Sequence, residues 1–150
     1  YYKKRTVHLS SLSPSIYSLV GANLKLASKV YEYFNASART DIEDNQGNTD
    51  DGIHAAAVGG TWQAAVLGFG GLRIKNGIAG FDPWLPEKWK SLSYKVMWKN
   101  EIISCHITKK YLKVMITGSD NVSYKISICG QIHTINANSE LMRFFENTEG

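Results

Sequence analysis

Cysteine is scarce in this sequence, with only Cys105 and Cys129 among 150 residues. Neither belongs to a CxxC pair or to a Cys/His spacing typical of zinc ligands, so we expect no metal site. Each lies in a strand-like run, and both are predicted to be small buried hydrophobic residues. Two cysteines at this spacing neither require nor exclude a disulfide.

The chain also has only a small excess of positive over negative charge. The chain has 17 Lys and Arg against 13 Asp and Glu, a net charge of +4, and its lysines are scattered along the sequence. Because no basic stripe or RNP-like aromatic motif is present, nucleic acid is not an expected partner. The mild positive charge is compatible with a small anionic ligand such as phosphate.

A leader peptide and a clear membrane span are missing as well. The segment Tyr1–Arg5 has neither an initiator Met nor a following apolar stretch. The longest apolar run, 53–72, contains Thr61, Gln63 and five glycines, which favours a buried helix over a membrane-spanning one. We therefore predict a cytoplasmic protein without a membrane partner, and a natural chain that is longer at its N-terminus.

The sequence does contain helical periodicity in its first half. Ser13 and Pro14 form a helix start, with Ser as the N-cap and Pro at the first helical position. Asn23 suits a left-handed C-terminal cap. A second, amphipathic helix is predicted over about 25–40. The segment 53–72 predicts a third helix, which should be surrounded by other helices because it is apolar on nearly every face.

From about residue 78 the periodicity changes to two, which is typical of half-buried antiparallel strands. The alternating runs cover residues 92–98, 103–107, 112–116, 124–128 and 132–134. A series of short strands with turn residues between them indicates a β-sandwich. Because helices and strands are segregated, the sequence predicts two domains or parts of domains. The tail from about Ser139 has little pattern.

His54 begins the third predicted helix, directly after a loop rich in Asp, Asn and Gly. A helix start can bind an anion, but a histidine there can equally be a core residue bonded to a nearby carbonyl group. Ser10 and Ser11 precede the first helix, where they can contact a ligand or only form a turn. Asp50 and Asp51 are adjacent, so they complement a helix dipole better than they form a catalytic pair.

Five segments carry the most specific pattern of the chain: Val7–Ser15, Asp50–Ala56, Gly59–Gln63, Gly68–Arg73 and Pro83–Pro86. In this order and spacing they resemble the C-terminal part of the family-65 glycoside phosphorylases, which include maltose, trehalose, kojibiose and nigerose phosphorylases. The likeness is close over about residues 1–100. It implies a mixed, segregated α and β fold, with the last helices of an (α/α)6 barrel catalytic domain at 1–77 and a small antiparallel β-sandwich at 78–150.

The resemblance also implies a reaction. Inorganic phosphate would attack the anomeric carbon of an α-glucosyl disaccharide with inversion, giving β-glucose 1-phosphate and a free sugar. Maltose is the first substrate expected, phosphate is the co-substrate, no cofactor is needed, and the intact protein is expected to be a homodimer. His54, Ser10 and Ser11 match the phosphate-contacting positions, with His8 and Gly52 in supporting positions. The general acid of the family is an upstream Glu that no acidic residue here matches, so the isolated chain should be inactive.

Two alternatives remain open. A trehalase-like hydrolase of the same family would use water and would need a carboxylate base near His54, for which Asp50 or Asp51 would have to move in. A non-catalytic sugar-binding β-sandwich would show aromatic residues on an exposed strand face. The alternation instead turns Tyr94 and Trp98 inward with their apolar neighbours.

Overall fold

The structure is a computed structural model that describes residues 10–145, apart from the side chains of residues 27 and 28. The chain forms two compact units, one ending at Phe69 and the other beginning at Gly70. The first unit is helical and the second is built of strands, which confirms the predicted segregation of helices and strands. A domain division at 77/78 in the intact protein stays a prediction.

Three helices make up the described part of the first unit, residues 10–69. They are α1 (Ser13–Asn23), α2 (Ala27–Ala38) and α3 (Ala55–Gln63), and α3 continues as a π-helical segment, Ala64–Phe69. A short 3-10 turn, Thr49–Asp51, precedes α3. The three predicted helices are therefore present, and the third is shorter than its apolar run because Gly70 and Gly71 end it.

The start of α1 differs from the prediction by one residue. Leu12 occupies the cap position, Ser13 is already helical, and no side chain caps the helix. Pro14 lies in the first turn, as predicted, because its missing N–H is not needed there. The hydroxyl of Ser15 donates a hydrogen bond of 2.8 Å to the Leu12 carbonyl.

The end of α1 is a Schellman motif. The Leu26 N–H donates to the Gly21 carbonyl at 2.9 Å, and the Lys25 N–H donates to the Ala22 carbonyl at 3.0 Å. The left-handed residue of this motif is Lys25, at φ 53°. The expectation that Asn23 would take that conformation is wrong, because the helix runs through Asn23.

Close contacts at glycines give the relative direction of α1 and α3. A methyl group at Gly60 would lie 2.8 Å from Ser15 Cβ, and one at Gly68 would lie 3.3 Å from both Leu19 Cα and Ala22 Cβ. The order of the contacts is the same along both segments, so α1 and α3 run parallel. Their N-termini therefore lie at the same end of the helical unit.

Helix α2 runs antiparallel to α1. The rings of Tyr17 and Tyr33 lie 5.4 Å apart, and a methyl group at Gly21 would lie 2.5 Å from Val30 Cγ2. Tyr17 precedes Gly21, whereas Tyr33 follows Val30, so the two helices point in opposite directions. The C-terminus of α2 therefore lies at the end where α1 and α3 begin.

Helix α3 is less enclosed than its composition predicts. Ala57 is buried, but Val58 is 56% exposed and Trp62 is 51% exposed. Among the described residues, α1 and α2 pack against it and leave one face exposed. That helices from elsewhere in the intact protein cover this face stays a prediction.

In the second unit, residues 70–145 form eight strands in two four-stranded sheets. One sheet has the order β1-β2-β6-β7 and the other β3-β4-β5-β8. The strands are β1 (Leu72–Lys75), β2 (Ile78–Phe81), β3 (Ser91–Trp98), β4 (Glu101–Thr108), β5 (Tyr111–Thr117), β6 (Ser123–Ile128), β7 (Gln131–Asn136) and β8 (Glu140–Phe144). The sequence predicted β3 to β7 and missed β1, β2 and β8.

One strand pair corrects the predicted all-antiparallel sandwich. Strands β2 and β6 are parallel, whereas every other pair among the described strands is antiparallel. The chain leaves the first sheet at the end of β2 and forms β3 to β5 in the second sheet. It then re-enters the first sheet at the end where β2 begins, so β6 runs parallel to β2. A parallel pair needs such a long crossover connection.

The core of the sandwich comes from alternate residues of its central strands. Ile103, Ile107, Leu112, Ile116 and Ile126 have no exposed surface. Each buried side chain of this size stabilises the fold by roughly 2 kcal/mol. The predicted period of two is therefore confirmed for β4, β5 and β6.

The two cysteines differ in exposure, which leads to a prediction of thiol reactivity. Cys105 is buried in β4, and burial raises the pKa of its thiol to about 12. Cys129 is exposed in the turn after β6, so the prediction of two buried cysteines is wrong for Cys129.

Because the thiolate is the nucleophile, we expect a thiol reagent at pH 8 to label one cysteine per folded chain and two in denaturant. Cys129→Ser should abolish the native labelling, whereas labelling of native Cys105 would contradict the prediction.

Candidate functional site

His54 lies at the start of α3, at the centre of a tight turn. Its φ of −79° and ψ of 70° are those of an inverse γ-turn. The turn is closed by a hydrogen bond of 2.9 Å from the Ala55 N–H to the Ile53 carbonyl. Gly52 precedes it at φ 125° and ψ 172°, a conformation open essentially only to glycine. Gly52 thus shapes the approach to His54 through its backbone.

Asp41 holds His54 at two points. One carboxylate oxygen, Oδ1, lies 2.5 Å from His54 Nδ1, and Oδ2 accepts the His54 backbone N–H at 3.0 Å. The side chains are only 18% and 17% exposed. Because an ionised carboxylate can only accept, Nδ1 carries a proton in this pair, and Nε2 is the nitrogen left for a ligand.

The position of Asp41 follows from the contact between α2 and α3. Near the end of α2, the Ser37 hydroxyl lies 2.7 Å from the Thr61 hydroxyl, which itself donates to the Ala57 carbonyl at 2.9 Å. Thr40 is buried, and its hydroxyl donates to the Ala36 carbonyl at 3.1 Å. The bond between Ser37 and Thr61 attaches the end of α2 to α3, so Asp41 is held beside the first turn of α3.

Sequence reasoning missed Asp41. It is one of several acidic residues in the polar segment between α2 and α3, and it lies 13 residues before His54. No motif or periodicity separates it from its neighbours. Only the antiparallel packing of α2 on α3 brings it to the histidine.

Ser10 and Ser11 form the turn that leads into α1. Ser10 is exposed, its hydroxyl accepts the Leu12 N–H at 3.3 Å, and its carbonyl accepts the Ser13 N–H at 3.1 Å. Ser11 is half-buried. Within residues 10–145, no hydrogen bond joins either serine to His54. The structure therefore shows the turn-forming role and leaves the phosphate-binding role a prediction.

The parallel arrangement nevertheless places the serine turn and His54 at the same end of the helical unit. At about 1.5 Å per residue, α1 begins roughly 3 Å before Ser15 and α3 roughly 8 Å before Gly60. Ser15 and Gly60 are in contact, so both helix starts lie within about 10 Å of that contact along their axes. Two helix N-termini that point the same way direct their positive dipole ends at one region. Such a region suits an anion.

The remaining candidate residues from the sequence are His8, Asp50 and Asp51. His8 lies outside the described residues. Asp50 and Asp51 are exposed in the 3-10 turn and make no hydrogen bond with His54 in the described part of the chain. Hydrogen bonds from Thr49 to the carboxylate of Asp44 lower the pKa of Asp44 and stabilise the same loop.

Neither a membrane-spanning helix nor a metal-binding cluster is present in the described residues. None of the helices in 10–145 is both long and apolar enough to cross a membrane. No cluster of three or more His, Cys, Asp or Glu side chains in that part of the chain could hold a metal ion.

Both units of the chain match models of one known family. Residues 1–63 match the model of the glycosyl hydrolase family 65 central catalytic domain, and residues 72–135 match that of the family 65 C-terminal domain. The two matches fall on the helical unit and on the strand unit respectively.

Individual relatives are disaccharide phosphorylases. The chain is 48% identical over 128 residues to a kojibiose phosphorylase of Caldanaerobacter subterraneus subsp. tengcongensis, a match covering 84% of this chain and 17% of that protein. It is 37% identical over 147 residues to an α,α-trehalose phosphorylase of Geobacillus stearothermophilus, covering 98% and 19%. A maltose phosphorylase of Bacillus subtilis is 36% identical over 110 residues, covering 73% and 14%.

A solved structure supports the same relation. A protein from the human microbiome, provisionally named a kojibiose phosphorylase, superimposes with a TM-score of 0.85 at 31% identity. The match covers 95% of this chain and 20% of that one. The chain thus spans less than a fifth of the length of the curated relatives named above. With both of its units matched by models of one family, the chain belongs to glycoside hydrolase family 65.

Proposed function

We propose that this chain supplies the phosphate-binding side of an inverting disaccharide phosphorylase. His54 would donate from Nε2 to phosphate, and Ser10 and Ser11 would add hydroxyl donors from the start of α1. The observation that carries the proposal is the shared end of α1 and α3, where a histidine held by Asp41 meets two parallel helix N-termini. The phosphorylase names of the relatives support it.

The chemistry of phosphorolysis fits this set of residues. An inverting hydrolase needs one carboxylic acid for the leaving group and one carboxylate base for water. Phosphate is already an anion, so a phosphorylase needs the acid but no base. The nucleophile site must instead bind negative charge with N–H and O–H donors. In the proposal, the acid is a Glu outside these 150 residues.

The substrate in this proposal is an α-glucosyl disaccharide. Maltose was the first expectation from sequence, but the relatives with the highest identities among those compared are kojibiose phosphorylases. Trehalose phosphorylases follow at 37–44% and a maltose phosphorylase at 36%. We therefore place kojibiose first, and trehalose and maltose after it. Phosphate is the co-substrate.

The proposal extends to the intact protein. The helical unit would be the last part of an (α/α)6 barrel, and the exposed apolar residues Val58 and Trp62 of α3 would pack against its other helices. The likeness to the family supports a homodimer in the cytoplasm. A boundary between barrel and sandwich near 77/78 belongs to the same proposal.

A hydrolase is the second candidate, and one observation favours it: Asp41 is a carboxylate next to His54. A general base must reach the attacking water. Both oxygens of Asp41 already accept hydrogen bonds from His54, which is a poor arrangement for also activating a water. Phosphorolysis therefore remains the first proposal.

A chimera tests the proposal. This chain would replace the segment that it matches in the Caldanaerobacter kojibiose phosphorylase. We expect β-glucose 1-phosphate to form from kojibiose only when phosphate is present, with trehalose and maltose assayed in parallel. The chain alone should show no turnover, because it lacks the general acid.

The parent enzyme is the positive control, and the parent without the segment is the negative control. Sugar release at the same rate without phosphate would support the hydrolase instead. A folded chimera that is inactive on all three disaccharides would contradict both candidates.

A further inference from the structure

We propose that Asp41 is a positioning residue for His54, holding its ring so that Nε2 faces the bound phosphate. The inference rests on the proposed function of His54 and adds a residue that no motif of the chain indicates. Asp41 itself would touch neither phosphate nor sugar. It would act through the histidine.

The first argument is the hydrogen bonding of the carboxylate. Its Oδ1 lies 2.5 Å from Nδ1 of the His54 ring, and its Oδ2 lies 3.0 Å from the His54 backbone nitrogen. The ring bond fixes the proton on Nδ1 and the rotation of the imidazole. The backbone bond fixes the main chain from which the ring projects. One side chain therefore sets both the tautomer and the direction of Nε2.

The second argument is that the surrounding structure holds both Asp41 and His54 in place. His54 is constrained by the inverse γ-turn and by Gly52. Asp41 follows the end of α2, which the Ser37–Thr61 hydrogen bond ties to α3. Both side chains are more than four-fifths buried. A carboxylate that orients a histidine in this way strengthens ligand binding by about 10- to 100-fold in metal sites, and we expect a similar range here.

A carboxylate with a purely structural role would make a different set of hydrogen bonds from that of Asp41. A carboxylate that only stabilises a loop needs to accept bonds from nearby donors. Asp44 is such a case, because its Oδ1 accepts the backbone N–H and the hydroxyl of Thr49 and it makes no bond with a histidine among the described residues. Asp44 lies in the same segment as Asp41, so Asp44→Asn is a matched control.

The first experiment needs no kinetics. In the 150-residue chain labelled with 15N-histidine, long-range 15N–1H spectra at alkaline pH identify the tautomer of each neutral ring, and His54→Asn assigns the His54 signals. We expect Nδ1 of His54 to be protonated and Nε2 to be bare. In Asp41→Asn the signals should shift towards the Nε2–H tautomer, whereas Asp44→Asn should leave them unchanged. A bare Nδ1 in the unmodified chain would overturn the inference.

The second experiment uses the active chimera. Asp41→Asn should raise KM for phosphate by about 10- to 100-fold and leave KM for the disaccharide unchanged, while Asp44→Asn changes neither. Loss of folded enzyme alone would lower the rate without changing KM for phosphate. An unchanged KM for phosphate in a folded Asp41→Asn chimera would therefore overturn the inference.

The same series separates this inference from the proposed function. If His54→Asn does not weaken the use of phosphate, the proposed function fails, whatever the effect of Asp41. If His54→Asn weakens it and Asp41→Asn does not, only the role of Asp41 is wrong.

Discussion

Replacing His54 by Asn in the chimera should lower kcat/KM for phosphate by at least about 100-fold, the effect typical of losing one charge-stabilising donor. The Asn amide nitrogen can take the place of Nδ1 and keep a bond to Asp41, so α3 should still begin in the same way. The change removes Nε2, the nitrogen proposed to contact phosphate. Initial rates at saturating disaccharide and varied phosphate measure the effect.

Two controls accompany this variant. His54→Gln places an amide nitrogen near the position of Nε2, so it should retain more phosphate use than His54→Asn. His106→Asn makes the same chemical change in β4, where the ring bonds to Ser93 at 2.7 Å, and should leave phosphate kinetics unchanged. Equal kcat/KM for phosphate in His54→Asn and the unmodified chimera would contradict a phosphate-binding histidine.

The largest expected effect on stability is that of Gly71→Ala in the strand unit. Gly71 has a φ of 65°, and a methyl group there would collide with the backbone of Asp82 and lie 2.7 Å from the nitrogen of Pro83. Backbone atoms cannot move aside as the end of a side chain can. Left-handed strain and overpacking cost roughly 1–3 kcal/mol each, so we expect unfolding to become easier by about 3 kcal/mol or more.

Gly130→Ala is the matched control for that change. Gly130 has a φ of 83° in the turn after β6, but no atom lies within 4 Å of a methyl group placed there. Only the conformational strain applies, and we expect a loss of about 1 kcal/mol. Urea unfolding of the three chains, followed by circular dichroism, compares them. Equal destabilisation by the two substitutions would show that the contact with Asp82 and Pro83 is unimportant.

The sequence could predict those strands whose alternation is long and whose inner residues are large. Strands β4 and β5 place Ile, Leu and Val on one face, and both were predicted. Strand β8 was missed because the residues opposite buried Val114 and Leu112 of β5 are Leu141 and Arg143, which do not form an apolar alternation. Strands β1 and β2 have four residues each and contain or adjoin glycine, so their hairpin is specified by pairing more than by pattern.

The end of α1 was also difficult to predict from residue type alone. Asn23 has the residue type expected in a left-handed cap, yet Lys25 takes that conformation. The reason is that α1 continues through Asn23, and the hydrogen bonds of Leu26 and Lys25 close the helix two residues later. Local residue preference is weak compared with a complete set of hydrogen bonds.

Residue patterns were enough to predict the division into helices and strands, the place of His54 at the head of the third helix, and the likeness to family 65. These follow from periodicity and from residues close together in the chain. The tertiary structure alone decided the parallel direction of α1 and α3, the parallel pairing of β2 with β6, and the contact between Asp41 and His54. Each of these joins residues far apart in sequence, and depends on how whole elements pack, which no local pattern encodes.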